Sequence, residues 1–262
     1  MLRWTRGDTL VFLVIATIPV IVFEVLGQKW LHLPWLPVAL IGTAVAFIIS
    51  FQNNASYDRV WEARKIWGGI VNASRAFGIM VNHFITNEVA KEPASEAELV
   101  SIRKDLILRH VAWMTALRHA MRQKRPWEDH LRRKTNREWA ERIGVREHHY
   151  SLDEEIEPYL SEEEKAHIDS KSNKAAQILN LQSKQLLELK LRGLIEDFRH
   201  MEMENALVEL YALQGKSERI KNFPYPRQYA TLNSIFLWIF ILLVPFGVMF
   251  EFDQIGESLS AS

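Results

Sequence analysis

Residues 33–68 read LPWLPVALIGTAVAFIISFQNNASYDRVWEARKIWG, and the fold turns on how this stretch is taken. No charge occurs from Leu33 through Tyr57. A bilayer core takes about 20 apolar residues at ~1.5 Å of rise each, so the first part is long enough to span one. The apolar run then passes into Gln52, Asn53 and Asn54 and on to Asp58, Arg59, Glu62, Arg64 and Lys65, with no Gly or Pro at the transition. The pattern predicts one helix that leaves lipid and continues into water.

Within it Thr43, Phe47 and Phe51 recur at i, i+4 and i+8, a slowly drifting stripe on one helix face. Gly42, Ala44, Ala46 and Ser50 flank the stripe, and small residues let helices approach closely in lipid. Two readings follow from spacing alone. Either the phenylalanines face lipid or pack on a neighbouring helix, or copies of the stripe, one per subunit, ring a narrow apolar pore.

The remainder of the 262-residue chain limits the function classes. Its 32 basic and 32 acidic side chains cancel, which speaks against nucleic acid as a partner, since that needs a basic face. No cysteine is present, so disulfides and thiolate metal sites are excluded. No G-x-S-x-G, H-E-x-x-H, phosphate-binding glycine loop or GxGxxG occurs, and no span carries paired acids or histidines; the chain reads as a non-enzyme without a cofactor or metal. His148-His149 precedes the acids Asp153, Glu154 and Glu155, but adjacent histidines point to different helix faces. His83, His110 and His119 read as core or interface histidines.

In chain order, residues 9–26 form a first membrane helix containing Pro19, and 33–54 a second. Trp4, Trp30 and Trp35 suit an interfacial belt, although Trp35 suits packing between helices equally well. Residues 56–227 form a helical domain. In it Ser95 caps a helix ending near Arg122, residues 129–144 are charged and solvent-facing, and 152–167 are acidic, with Ser161 opening a capped helix. A helix covers 173–192, and another ends at Gly215. Residues 228–250 form a third membrane helix, and 251–262 a short acidic tail with Glu251, Asp253 and Glu257. The expected class is all-α: an integral membrane protein whose membrane helices continue into a cytoplasmic helical bundle. Lys and Arg concentrate before residue 9 and between 57 and 227, which places the N-terminus and the helical domain in the cytoplasm.

The stretch SFQNNASYDRVWEARKIWG resembles the signature of the prokaryotic bestrophins: an aromatic at Phe51, then Asn53, Asn54, Tyr57, Arg59, Glu62, Ala63, Arg64, Trp67 and Gly68. A second block, Glu218-Arg219-Ile220 followed by Pro224, Pro226 and Tyr229, is similar to that family's entry into its next membrane helix. The resemblance extends from Trp4 to about Phe250. It implies a homopentamer in the bacterial inner membrane that passes inorganic ions down a gradient, with the lipid bilayer and other copies of the chain as its partners. It also implies that Thr43, Phe47 and Phe51 are the pore-facing rings of a neck, Thr43 being a polar departure. Ala176 or Gln177 would then form a second, cytoplasmic aperture, smaller or more polar than the residue usual there. Asn53, Tyr57, Arg59, Glu62, Arg64, Trp67 and Gly68 would fix the junction between membrane and cytoplasmic parts.

The sequence departs from that family in stopping soon after a third span where a fourth is expected. The acidic segment by which animal members bind calcium has no counterpart, so calcium activation of that kind is not expected. Animal members conduct chloride and other anions while some bacterial relatives favour cations, and an uncharged neck leaves the sign open. The alternative from another class is a non-conducting, membrane-anchored helical scaffold that binds a cytoplasmic partner, with Phe47 and Phe51 as packing residues.

Overall fold

The computed structural model describes residues 2–128 and 134–260. Among these residues the chain is all-α, with no strand. Its helices are α1 (Leu2–Glu24), α2 (Trp35–Phe84), α3 (Glu96–Arg122), α4 (Lys134–Ile143), α5 (Leu152–Ile156), α6 (Glu162–Asp169), α7 (Lys174–Leu191), α8 (Asp197–Asn222) and α9 (Arg227–Ser260). Helices α1, α2 and α9 are long and apolar enough to cross a membrane. The start of the charged 129–144 segment lies outside the described residues, as do the side chains of Trp4 and Glu257.

Helix α2 is unbroken over 50 residues and carries the chain from its uncharged half into the charged one. Several bounds differ from those read off the sequence; α1, read as 9–26, runs from Leu2 to Glu24. The acidic 152–167 segment is two short helices joined by a 3-10 turn at Glu157–Tyr159. Pro158 lacks the N–H an α-helix would use there, and Ser161 starts afresh with a capping box to Glu164. Helix α8 runs through Gly215, since the flanking Leu213, Gln214 and Ser217 are buried and hold the helix by packing. Helix α9 continues past Phe250 to Ser260.

The chain divides into two compact units, one comprising the chain through Arg59 and from Pro224 onward, the other Val60–Phe223. In the first, α1 packs on α9, with Phe12 and Trp238 ring centroids 6.1 Å apart. The first half of α2 also packs on α9 through a missing side chain: a Cβ at Gly42 would lie 2.6 Å from Cε2 of Phe240. The α1–α2 connection is held to α9 as well. The Leu33 N–H donates to the Phe246 carbonyl at 3.0 Å, Lys29 pairs with Asp253 at 3.0 Å, and His32 stacks on Phe250 at 4.7 Å.

In the second unit α3 packs against α5, α7 and α8, so it lies at the centre. The second half of α2 turns Ile66, Ile70, Phe77 and Val81 into this core at helical spacing, and Leu106, Trp113 and Leu117 of α3 are fully buried. Each such side chain contributes about 1.5–3 kcal/mol of hydrophobic stabilisation. Ser95 caps α3, accepting from the Glu98 N–H at 3.2 Å. The turn between α7 and α8 needs Gly193, whose φ is +74° and where a Cβ would meet the Val89 carbonyl oxygen at 2.7 Å.

Candidate functional site

The uncharged half of α2 has two unlike faces. Toward α9 it presents Val38, Gly42 and Val45, and Val38 lies where a Cβ on Gly247 would press. Gln52 continues this face: its amide oxygen accepts from Asn233 Nδ2 at 3.2 Å. A lone subunit therefore already accommodates the Gln52 amide, because α9 supplies its partner. Asn53 and Asn54, one position round the helix, stay exposed.

The other face carries Thr43, Phe47 and Phe51. Phe47 is 62% and Phe51 70% exposed, high values for phenylalanines on a packed helix. Thr43 is exposed too, but its hydroxyl donates back to the Ala39 carbonyl at 3.0 Å. Its proton is committed to the helix, which reduces the polar character it lends this face. The structure thus puts the three on one side of α2 with no charged residue among them.

The charged half of α2 holds the remaining signature residues. Tyr57 is exposed and Arg59 half-buried. Glu62 pairs with Lys65 at 2.9 Å, and Arg64 stands over the Trp61 ring at 5.9 Å. Trp67 packs against the core, whereas a Cβ on Gly68 would meet no atom within 4 Å. Ala176 and Gln177 occupy the first turn of α7, both half-buried. Their N–H groups are taken up by Asn173, through its side chain for Ala176 at 3.1 Å and its carbonyl for Gln177 at 3.2 Å.

Polar groups of the second unit that no sequence motif marked hold α7 in place. Trp113 Nε1 donates to Gln214 Oε1 at 2.9 Å, and Gln214 Nε2 in turn donates to Asn173 at 3.2 Å and to Glu218 at 2.8 Å. Arg109 donates to Glu164 at 2.8 Å, to Gln182 at 3.0 Å and to Gln185, which ties α3 to α6 and α7. The buried Glu155 carboxylate receives His119 at 2.7 Å together with Arg118 and Arg146. Burial alone would raise its pKa; the hydrogen bonds from His119 and Arg146 and the charge of Arg118 outweigh burial and hold it below the ordinary carboxylate value. Burial likewise works against the charge on Lys174, but Asp153 and Asp169 overcome it and leave the ammonium pKa raised. Glu155 and His119 lie 36 positions apart, Arg109 and Glu164 55, and Trp113 and Gln214 101, so no local spacing announces these pairs.

His110 is the opposite case. It is 7% exposed and lies 5.3 Å from the Phe77 ring and 5.1 Å from that of Trp113. Neither ring nitrogen has a hydrogen-bond partner. Burial pushes its pKa down to about 4, so the imidazole is neutral at physiological pH.

Comparison with known proteins places this arrangement. The family model described as Bacterial/Fungal Bestrophin protein matches residues 6–256. A voltage-dependent anion channel-forming protein of Ralstonia nicotianae is 27% identical over 235 residues, 86% of this chain and 64% of that protein. The voltage-dependent anion channel-forming protein YneE of Escherichia coli K12 is 24% identical over 224 residues, 86% of this chain and 61% of that protein. This chain therefore spans less than two thirds of the length of these relatives. Among solved structures, a bacterial bestrophin homologue from Klebsiella pneumoniae carrying a single substitution superposes with a TM-score of 0.73 at 22% identity, covering 94% of this chain and 78% of the other. A structure described only as a membrane protein superposes with a TM-score of 0.74 at 23% identity, covering 93% and 77%.

Proposed function

Because the chain belongs to the bacterial and fungal bestrophin family, we propose that copies of it assemble around a common axis and conduct ions passively across a membrane. The observation that carries the proposal is the exposure of Phe47 and Phe51 on an uncharged helix face turned away from α9. In a ring of subunits Thr43, Phe47 and Phe51 would form successive constrictions on consecutive turns. An apolar constriction sets a barrier by excluding water, and its width tunes the rate without catalysis or a cofactor. Five subunits, the number the bestrophin resemblance implies, would complete the neck, and Ala176 or Gln177 at the start of α7 would form a second, wetter aperture in series.

The excess of Lys and Arg before residue 9 and between 57 and 227 supports an inner-membrane orientation with the N-terminus and helical domain in the cytoplasm. The names of the relatives favour anions as the permeant species, and no side-chain charge in the neck opposes them.

The test is current through purified protein in planar bilayers, with reversal potentials in asymmetric salt, for the wild type and for Phe47→Ala with Phe51→Ala. A channel changes its conductance or rectification while oligomer mass in detergent holds. If both proteins carry no current and the double variant loses assembly, the chain is the non-conducting scaffold and the neck assignment fails.

A further inference from the structure

Helix α4 is 10 residues long and none of them is buried. Its residues divide sharply around the helix. Trp139 and Ile143, one turn apart, share one side with Ala140, while Lys134, Arg137, Glu138, Glu141 and Arg142 occupy the other. Trp139 is 61% and Ile143 57% exposed, so the apolar side is left uncovered among the described residues. Isolated helices shorter than about 12–15 residues are marginal in water, and packing of an apolar face normally supplies the missing stability. A cover for this face is therefore to be looked for outside the chain.

The flanks of α4 fix where the face lies. Trp113 of α3 meets Gln214 of α8, and farther along both segments Glu128 accepts from Lys221, so α3 and α8 run in the same direction and end at one pole of their unit. Glu128 stands six residues before Lys134, the start of α4. Beyond α4, Glu147 pairs at 3.2 Å with Arg118, one turn from the end of α3. Both flanks of α4 are thus tied to that pole. The chain also leaves the unit there: Lys221 precedes Arg227, the first residue of the membrane-length helix α9, by six residues, a reach of at most about 22 Å.

The charge of this segment suits one occupant. Arg132, Arg133, Lys134, Arg137 and Arg142 outnumber Glu138 and Glu141. Lys134 and Arg142 make no ion pair among the described residues. A helix with a basic polar side and Trp on its apolar side has the pattern of one that lies in a bilayer interface, its apolar side sunk about 5–10 Å into the boundary of headgroups and acyl chains. Basic side chains beside that boundary are drawn to anionic lipid, and Trp prefers it. We propose that α4 lies flat on the bilayer surface near the entry into α9, with Trp139 and Ile143 at the acyl boundary and Lys134 and Arg142 among anionic headgroups. It holds one pole of the helical unit against the membrane. The inference rests on α9 crossing a membrane and not on ion conduction.

The chain has no cysteine, so Trp139→Cys, Ile143→Cys and Lys134→Cys each give a unique attachment point for a nitroxide. None of the three positions is buried, so the substitutions leave the core intact. The labelled full chain is reconstituted into phosphatidylcholine vesicles containing about a third phosphatidylglycerol, and collisions with oxygen, which concentrates among acyl chains, are compared with collisions with a water-soluble nickel chelate. The expected oxygen-to-nickel ratio is several-fold higher at positions 139 and 143 than at 134. At 143 it falls toward the value at 134 when Lys134→Glu and Arg142→Glu are added. Nickel contact at 143 as frequent as at 134 means that the face stands in water. Little contact with either reagent, in detergent as in vesicles, means that a second copy or another protein covers it. Either result overturns the proposal, and so does a ratio at 143 that the charge reversal leaves unchanged.

Discussion

His110 offers the sharpest quantitative test of the helical core. The folded imidazole has a pKa of about 4 against 6.5 for a free histidine, a difference of 2.5 units. Between those values the unfolded chain takes up a proton that the folded chain refuses, so stability falls as pH drops from about 6.5 to about 4 and levels off below. At about 1.36 kcal/mol per unit the loss over the full window is about 3 kcal/mol, and about 2–3 kcal/mol by pH 4.5. For a chain of this size that corresponds to a fall in Tm of roughly 5–10 °C. Glu155 also responds to acid: its lowered pKa gives stability that is present above the ordinary carboxylate pKa and lost as pH falls through the folded value. The comparison must therefore be with a variant that changes only His110. His110→Leu keeps approximate volume, removes the titration and leaves Glu155 in place. It also removes two buried nitrogens without partners, so at pH 7.5 it should melt no lower than the wild type. Unfolding followed by tryptophan fluorescence at pH 7.5 and 4.5, with Trp113 beside the site, reads the difference directly. If both proteins lose the same Tm between the two pH values, the buried neutral imidazole is not what makes the domain acid-sensitive, and the reasoning fails.

Three further substitutions test the packing. Arg109→Met leaves Glu164 without its buried partner and should lower stability by about 3 kcal/mol, measured by urea unfolding; a loss under about 1 kcal/mol would mean that the network contributes little. Gly42→Ala places a methyl 2.6 Å from Phe240 and should cost about 1–3 kcal/mol, seen as a lower Tm in detergent, whereas an unchanged Tm would show that α2 and α9 do not pack as described. Gly215→Ala, inside α8 with no atom within 4 Å of the added Cβ, should raise stability by about 0.5–1 kcal/mol. A loss there would point to another copy covering that position.

The class of the protein was already legible in residues 33–68. An uncharged run of membrane length passing without interruption into charged residues can only be a long helix that changes solvent, and α2 is that helix over 50 residues. Caps were legible for the same local reason: Ser95 and Ser161 each accept from the N–H three positions on. Helix ends were not. Gly215 reads as a stop by propensity, yet buried neighbours carry α8 through it, because packing outweighs a cost of about 1 kcal/mol. Membership of the bestrophin family was also written in the sequence, in the residues from Phe51 to Gly68.

What only the tertiary structure decided is which polar groups find partners. Gln52 meets Asn233 across 181 positions, Arg109 reaches Glu164 across 55, and Trp113 reaches Gln214 across 101. The same folding leaves Phe47 and Phe51 uncovered, His110 without a hydrogen bond, and Arg125 Nε without an acceptor. Periodicity determines which side chains share a face of one helix, but satisfaction and exposure depend on what a second helix brings to that face, and that follows from packing across long chain separations.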